Sequence, residues 1–256
     1  MTSIDTAAFY DDLAEHYHLI FEDWGSSIER QACVLGPLLE NRLGRGPLKI
    51  LDCACGIGTQ ALGLARRGHS VVGADLSKAA VERAAREARR LGLAMEFQVA
   101  DMRDLSALPV AEFDAVVVGD NSLPHLLSDE DLRRGLANIS ERLKPGGFVL
   151  ATIRDYDCVL RSQPDFQGPT FYGEGETRRI VHQVWDWDGE EYVVHLYLTW
   201  RSGSEWRAKH AACRYRAMTR AKLTAGLAAG GFQEIEWVMP DVTTFYQPMV
   251  IARKGA

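Results

Sequence analysis

Between residues 48 and 153 short apolar runs alternate with helical patterns, and the connections between them are short. Residues 48–54, 71–74, 95–99, 113–118 and 148–153 read as strands. The fourth is an unbroken apolar segment of the kind a sheet buried on both faces requires. A helix follows the first run through Ala65, Ser77 caps an alanine-rich helix to about Leu91, and Ser128 caps another. That last helix stops at Lys144-Pro145-Gly146-Gly147, where proline and glycine cannot continue it. Strands that alternate with helices lie parallel and are crossed over by those helices. The expectation is an α/β chain with a mostly parallel, doubly wound, Rossmann-like sheet.

The flanks differ from this core. Residues 1–45 read as a helical arm or lid, with aromatics at Phe9, Tyr10, Tyr17, Phe21 and Trp24 and a capping box predicted from Ser26 and Glu29. Beyond residue 155 the texture changes to three longer strands near 177–187, 191–201 and 206–217. Asp188-Gly189 and Ser202-Gly203-Ser204 supply the turn chemistry between them. They predict an inserted antiparallel three-stranded sheet at 156–217 that shapes a substrate site. The core then comprises 46–155 and 218–256, the latter with a helix near 219–229 and strands near 232–238 and 248–252.

The formal charge is −6, from 29 Lys and Arg against 35 Asp and Glu, and the short arginine pairs fall on helices. That argues against a nucleic-acid partner, since such proteins carry a basic face. Met1 to Tyr10 lacks the pattern of a secretory signal, and no apolar stretch approaches membrane-spanning length, so the expected location is cytoplasmic with no membrane partner. Five cysteines suggest no disulfide framework. Cys53 and Cys55, two apart on a predicted strand, are expected to point the same way. No second cysteine pair or nearby histidine completes a metal site, so they read as packed core residues and no metal is expected.

The most informative stretch is Ile50-Leu51-Asp52-Cys53-Ala54-Cys55-Gly56-Ile57-Gly58-Thr59-Gln60-Ala61, a strand running into a Gly-x-Gly turn that opens a helix. Alone, Gly56-x-Gly58-x-x-Ala61 also fits a dinucleotide fingerprint. Asp52 is placed to meet an ammonium, where a pyrophosphate would prefer no anion. Asp75 ends the second strand, placed to accept two ribose hydroxyls. Asp101-Met102 follows the third, where the acid can receive an adenine amino group and the methionine can cover the ring. Three carboxylates suit a ligand with an ammonium, a sulfonium and a ribose, and no phosphate.

On these residues the chain resembles the class I S-adenosylmethionine-dependent methyltransferases, with Leu51 to Thr59 similar to their first motif and Asp75, Asp101 and Phe113-Asp114-Ala115-Val116 in the order of the later ones. The resemblance implies a class I methyltransferase fold and S-adenosylmethionine as cofactor, released as S-adenosylhomocysteine. Its contacts would come from Asp52, Cys53, Ala54, Gly56, Gly58, Asp75, Leu76, Asp101 and Met102, with Asp120, Arg30 and Tyr17 completing the site. A narrower resemblance is to glycine N-methyltransferase and the bacterial glycine/sarcosine N-methyltransferases. Gly119-Asp120-Asn121-Ser122-Leu123-Pro124-His125-Leu126, Ile153-Arg154-Asp155-Tyr156-Asp157 and the N-terminal arm carry it. It implies that Arg154 holds an amino acid carboxylate, that Asn121 lines the acceptor pocket, and that the protein forms a homo-oligomer.

His125 and Tyr10 are the first candidates for a proton acceptor. Arg154 could instead pair with Asp155 or Asp157 as scaffolding. Two departures stand out: Phe21 offers no hydroxyl where the family has an acceptor-contacting aromatic, and Asp120 adds negative charge that favours a cationic or amine acceptor. The expected activity is methyl transfer to the amine of glycine, sarcosine or a similar small amino acid. Trp185, Trp187, Trp200, Trp206 and Phe245-Tyr246 leave open a bulkier or aromatic acceptor methylated at N, O or C. A nicotinamide-dependent oxidoreductase and a non-catalytic binding module are the alternatives from other classes.

Overall fold

The computed structural model describes residues 5–44 and 46–255. The reading of Met1–Ile4 as free of a leader, and the arm and core limits at 1, 45 and 256, lie outside the described residues. The arm consists of α1 (Thr6–Leu13), a 3-10 turn at Tyr17–Ile20 and α2 (Trp24–Leu43). The predicted capping box is corrected: Asp23 is the N-cap of α2, and its carboxylate accepts from the Ser26 backbone N–H. The helix begins at Trp24, so Ser26 lies inside the first turn and donates its backbone N–H to the Asp23 carboxylate.

The core then runs β1 (Lys49–Asp52), α3 (Thr59–Arg66), β2 (Ser70–Asp75), α4 (Lys78–Arg90), β3 (Glu96–Val99), β4 (Phe113–Val118), α5 (Asp129–Arg142) and β5 (Leu143–Thr152). Its caps are those the sequence marks. Ser77 Oγ accepts from Ala80 N at 3.1 Å, and Ser128 caps an α5 whose first turn is Asp129-Glu130-Asp131, complementing the helix dipole. After β5 come α6 (Tyr156–Ser162), β6 (Phe166–Tyr172), β7 (Arg179–Asp188), β8 (Glu191–Ser202), β9 (Glu205–Arg216), α7 (Arg220–Ala229), β10 (Phe232–Val238), α8 (Pro240–Thr243) and β11 (Met249–Lys254).

Seven strands form one sheet in the order β10-β11-β5-β4-β1-β2-β3. The β1–β2, β1–β4, β2–β3 and β4–β5 pairs are parallel, whereas β11 runs antiparallel to both β5 and β10. The dinucleotide order is 3-2-1-4-5-6. This sheet keeps that order and wedges a reversed strand between the fifth and the next.

The second sheet, β6-β7-β8-β9, is antiparallel and has four strands rather than the expected three. The extra one, β6, contains Pro169 and two of its residues, Phe166 and Phe171, are exposed. Proline is tolerated in an edge strand because the strand need not donate on both sides. This sheet buries alternate residues, among them Trp185, Tyr192, Val194, Leu196, Cys213 and Tyr215. They belong to the same apolar cluster as Val118, Leu123, Ile153 and Tyr156, which follow or end β4 and β5. It therefore covers the carboxyl ends of the parallel strands, where open α/β sheets bind ligands. The arm is tied down beside it: the Arg179 guanidinium donates to the carbonyls of Leu19, Phe21 and Glu22, and Asp11 accepts from Ser77 Oγ at 2.6 Å. No helix among the described residues is long and apolar enough to cross a membrane.

Candidate active site

A cavity of about 360 Å³ opens where β1, β2 and β4 end. Its floor is the loop between β1 and α3. Gly56 and Gly58 have φ of +51° and +99°, and a Cβ on Gly58 would meet Leu62 side-chain carbons at 3.0 Å, so left-handed backbone and close packing both call for glycine there. The loop is drawn to β2 by Asp75, whose two oxygens accept from Gly56 N and Ser77 N, each at 2.8 Å. Burial pushes the Asp75 carboxyl above its usual range, while these two N–H groups pull it back. Cys53, Ala54, Leu76, Asp101, Met102 and Tyr17 also line this cavity. An acid with lone pairs to spare, a glycine floor and an apolar wall fit the ribose, amino acid chain and adenine of S-adenosylmethionine.

Asp101 is at the wall, but its carboxylate lies in the fork of Arg103, which donates through Nε and Nη2 at 2.6–3.1 Å. Burial opposes ionisation of Asp101, yet the fork outweighs it and holds the group below the usual carboxylate range. Cys53 and Cys55 are corrected. β1 ends at Asp52, so both lie in the loop, and they pack into different apolar clusters rather than facing one way.

Asp52 sits behind the cavity, wholly buried, with neither carboxyl oxygen hydrogen-bonded among the described residues. Burial pushes it up to about 8, and the neighbouring Asp75 and Asp120 carboxylates add to the rise. Its folded value therefore exceeds its unfolded value of about 4. The folded state holds the extra proton between these values, so stability falls as pH rises through that window. Ligand-free protein should lose stability from pH 5 to 8 in urea titrations, by up to about 1.4 kcal/mol per pH unit from this group. Asp52→Asn should flatten that slope; an unchanged slope would clear Asp52 of the effect.

A second, larger chamber of about 1410 Å³ adjoins the first beneath the antiparallel sheet. Tyr17 and Asp120 are the described residues that border both. Arg154, just past β5, enters this chamber between aromatic faces, its guanidinium carbon 4.6 Å from the Trp185 ring and 5.6 Å from that of Tyr215. It donates to Tyr192 Oη at 2.9 Å and Gln183 Oε1 at 3.3 Å. The scaffolding alternative fails, because Arg220 takes both acids, Asp155 at 2.6 Å and Asp157 at 3.3 Å. Arg154 has no carboxylate partner among the described residues.

Asn121, almost wholly buried, has φ +65° beside Asp120 at +52°. Two consecutive left-handed residues re-aim the chain after β4. Asn121 Oδ1 accepts from Arg154 N at 3.0 Å, and its Nδ2 has no partner among the described residues. The two candidate bases meet each other: Tyr10 Oη lies 2.8 Å from His125 Nε2, and His125 Nδ1 lies 3.3 Å from the Arg214 carbonyl. A carbonyl only accepts, so Nδ1 carries the proton and Nε2 accepts from Tyr10. Burial drives His125 down to about 4 and Tyr10 well above its usual value. Both are neutral near pH 7. Arg30 lies on the rim of the larger chamber rather than in the cofactor cavity and donates to Ser27 Oγ at 2.8 Å, while Phe21 also lines that chamber.

Tyr192, Tyr215 and Gln183 escape sequence reasoning. Their strand alternation marks them as inward-facing, but nothing local says that what they face is an arginine.

A family model described as a methyltransferase domain matches residues 50–147. The chain is 30% identical over 185 residues to a putative methyltransferase of a Geobacillus species, covering 72% of this chain and 68% of that one. It is 32% identical over 152 residues to the glycine/sarcosine N-methyltransferase of Parasynechococcus marenigrum, covering 59% of this chain and 52% of the relative. The chain thus spans about half the length of the glycine/sarcosine relatives it matches first. In fold it superposes on a sugar N-methyltransferase from a Streptoalloteichus species with a TM-score of 0.75 at 20% identity, over 100% of this chain and 99% of that one. The sheet order, the glycine loop and Asp75 describe a Rossmann-like cofactor site. With these likenesses, the chain belongs to the class I S-adenosylmethionine-dependent methyltransferases.

Proposed function

We propose that the protein transfers a methyl group to the amine nitrogen of a small molecule bearing a carboxylate. The observation that carries this reading is Arg154: a guanidinium between aromatic faces, facing the larger chamber with no carboxylate partner among the described residues. A charged group so placed calls for an anion, and a planar fork grips a carboxylate with paired hydrogen bonds. When bound, S-adenosylmethionine supplies an activated methyl on a sulfonium. Asp75, the Gly56–Gly58 loop and Met102 would hold the cofactor, and the arm and the antiparallel sheet border the acceptor side of the site. Alignment is then most of what the protein must provide.

Glycine and sarcosine are the smallest acceptors of this kind, and relatives of this chain carry those names. The chamber supports a second, bulkier reading. At about 1410 Å³ it exceeds the roughly 300–1,000 Å³ of ordinary ligand pockets, and Phe21, Phe166 and Phe245 add apolar lining for a ring or chain.

The test is S-adenosylhomocysteine release with glycine, sarcosine, dimethylglycine, phenylalanine and anthranilate, each run beside its decarboxylated amine. Faster turnover of the carboxylate member of a pair supports the clamp, and the pair that works sizes the acceptor. Turnover of the decarboxylated amines alone would remove Arg154 from the role.

A further inference from the structure

Asp120 is where this chain departs from the family segment it otherwise resembles, and the structure puts it at the crossing point between the two cavities. Of the two described residues that border both, Tyr17 is an aromatic wall and Asp120 is the carboxylate. Its backbone N–H donates to Thr152 Oγ1 at 2.9 Å, and that hydroxyl donates in turn to Gln247 Oε1 at 2.8 Å. The Tyr246 hydroxyl donates to its Oδ1. Among the described residues no lysine, arginine or histidine forms an ion pair with it. The two groups first expected to take a proton, His125 and Tyr10, are neutral and already bonded to each other.

We propose that the Asp120 carboxylate receives the ammonium of the incoming acceptor and takes its proton, so that the acceptor is held at two ends, its cation by Asp120 and its anion by Arg154. This rests on the amine-acceptor reading above. One N–H bond breaks and one O–H bond forms: R–NH3+ and the carboxylate become R–NH2 and the carboxylic acid. Nitrogen keeps the electron pair that an ammonium lacks for attack. The acceptor class is thereby narrowed to molecules that enter as zwitterions.

The surroundings suit a proton acceptor that is ionised near neutrality. Burial pushes Asp120 up to about 6, with the Gln60 amide from α3 working the other way. The other groups facing it are Tyr17 from the arm, the buried Asp52 from β1, Tyr246 from the segment before β11, and Arg154 across the chamber. Tyr17, its own value raised by burial and by Asp120, stays neutral.

The test combines Asp120→Asn with Tyr246→Phe, using glycine, sarcosine, dimethylglycine and phenylalanine, which enter as zwitterions, and the hydroxy-acid counterparts glycolate and phenyllactate. Asp120→Asn keeps shape and the Tyr246 contact while removing charge and basicity. It should lower kcat/KM for amino acids by about 100-fold or more, as loss of a positioned base does. Calorimetry should show S-adenosylhomocysteine affinity within about threefold of wild type, which also reports that the variant is folded. Tyr246 is largely exposed, and Tyr246→Phe removes a donor that favours the charged carboxylate. It should move the acidic limb of the kcat/KM profile upward by roughly half a pH unit.

Four results would overturn the assignment. Parallel loss of S-adenosylhomocysteine binding in Asp120→Asn would make the residue a cofactor contact. Near-wild-type kcat/KM in that variant, or an acidic limb unmoved by Tyr246→Phe, would leave amine methylation standing without Asp120. Wild-type protein that methylates the hydroxy acids and none of the amines would fell the amine reading itself, and this inference with it.

Discussion

Asp75→Ala is expected to weaken S-adenosylhomocysteine binding about 100-fold, the equivalent of about 3 kcal/mol from two charge-assisted hydrogen bonds. The residue would act twice. Its carboxylate closes β2 onto the glycine loop, accepting from Gly56 N and Ser77 N at 2.8 Å each. Each oxygen keeps a further lone pair, so the same group can accept from a ribose diol. Alanine removes both functions, leaving the Gly56 amide without its partner beside a buried surface. The measurement is calorimetric titration of S-adenosylhomocysteine into wild type and variant, with thermal melting as the control for folding. A loss smaller than fivefold in a folded variant would mean that the ribose is held elsewhere, and would detach Asp75 from the cofactor.

The second large effect concerns Arg154. Arg154→Met should reduce kcat/KM for carboxylate-bearing acceptors by about 1,000-fold, with Arg154→Lys losing roughly 10- to 100-fold. Of five guanidinium N–H donors, two are directed to Tyr192 and Gln183, and the remainder can serve an anion. Methionine fills the slot between Trp185 and Tyr215 but offers no donor. Lysine keeps the charge but not the fork, and its compact ammonium stacks less well between rings. S-adenosylhomocysteine affinity should be nearly unchanged in both, because the guanidinium faces the acceptor chamber. Discrimination between an amino acid and its decarboxylated amine is the decisive readout. If Arg154→Met slows both members of a pair equally, the residue props up the pocket rather than recognising a carboxylate.

Much of the fold was legible because its signals are local. Ser77 and Ser128 cap helices within three residues of themselves, and the apolar run of β4 announces a strand buried on both faces. β6 was not legible, because its proline, glycine and exposed phenylalanines form a strand only by pairing with β7 as an edge. The two cysteines were misplaced by a strand boundary that shifted by two residues, enough to turn alternation into loop geometry.

Local spacing alone encodes the framework around the first cavity: a strand, a glycine turn, a helix, and acids at the ends of the next two strands. These are short-range patterns that set the backbone there, whereas the Arg103 fork on Asp101 and the burial of Asp52 are not written in them. Only the tertiary structure decided the acceptor half. Arg154 has no carboxylate partner among the described residues because Arg220, more than 60 residues away, takes both of its neighbouring acids. Asp52 withdraws behind the cavity, and Asp120 comes to the boundary between two chambers because the chain turns left-handed after β4. Charge partnership and burial depend on which distant residues arrive at the same place, and no local spacing carries that information.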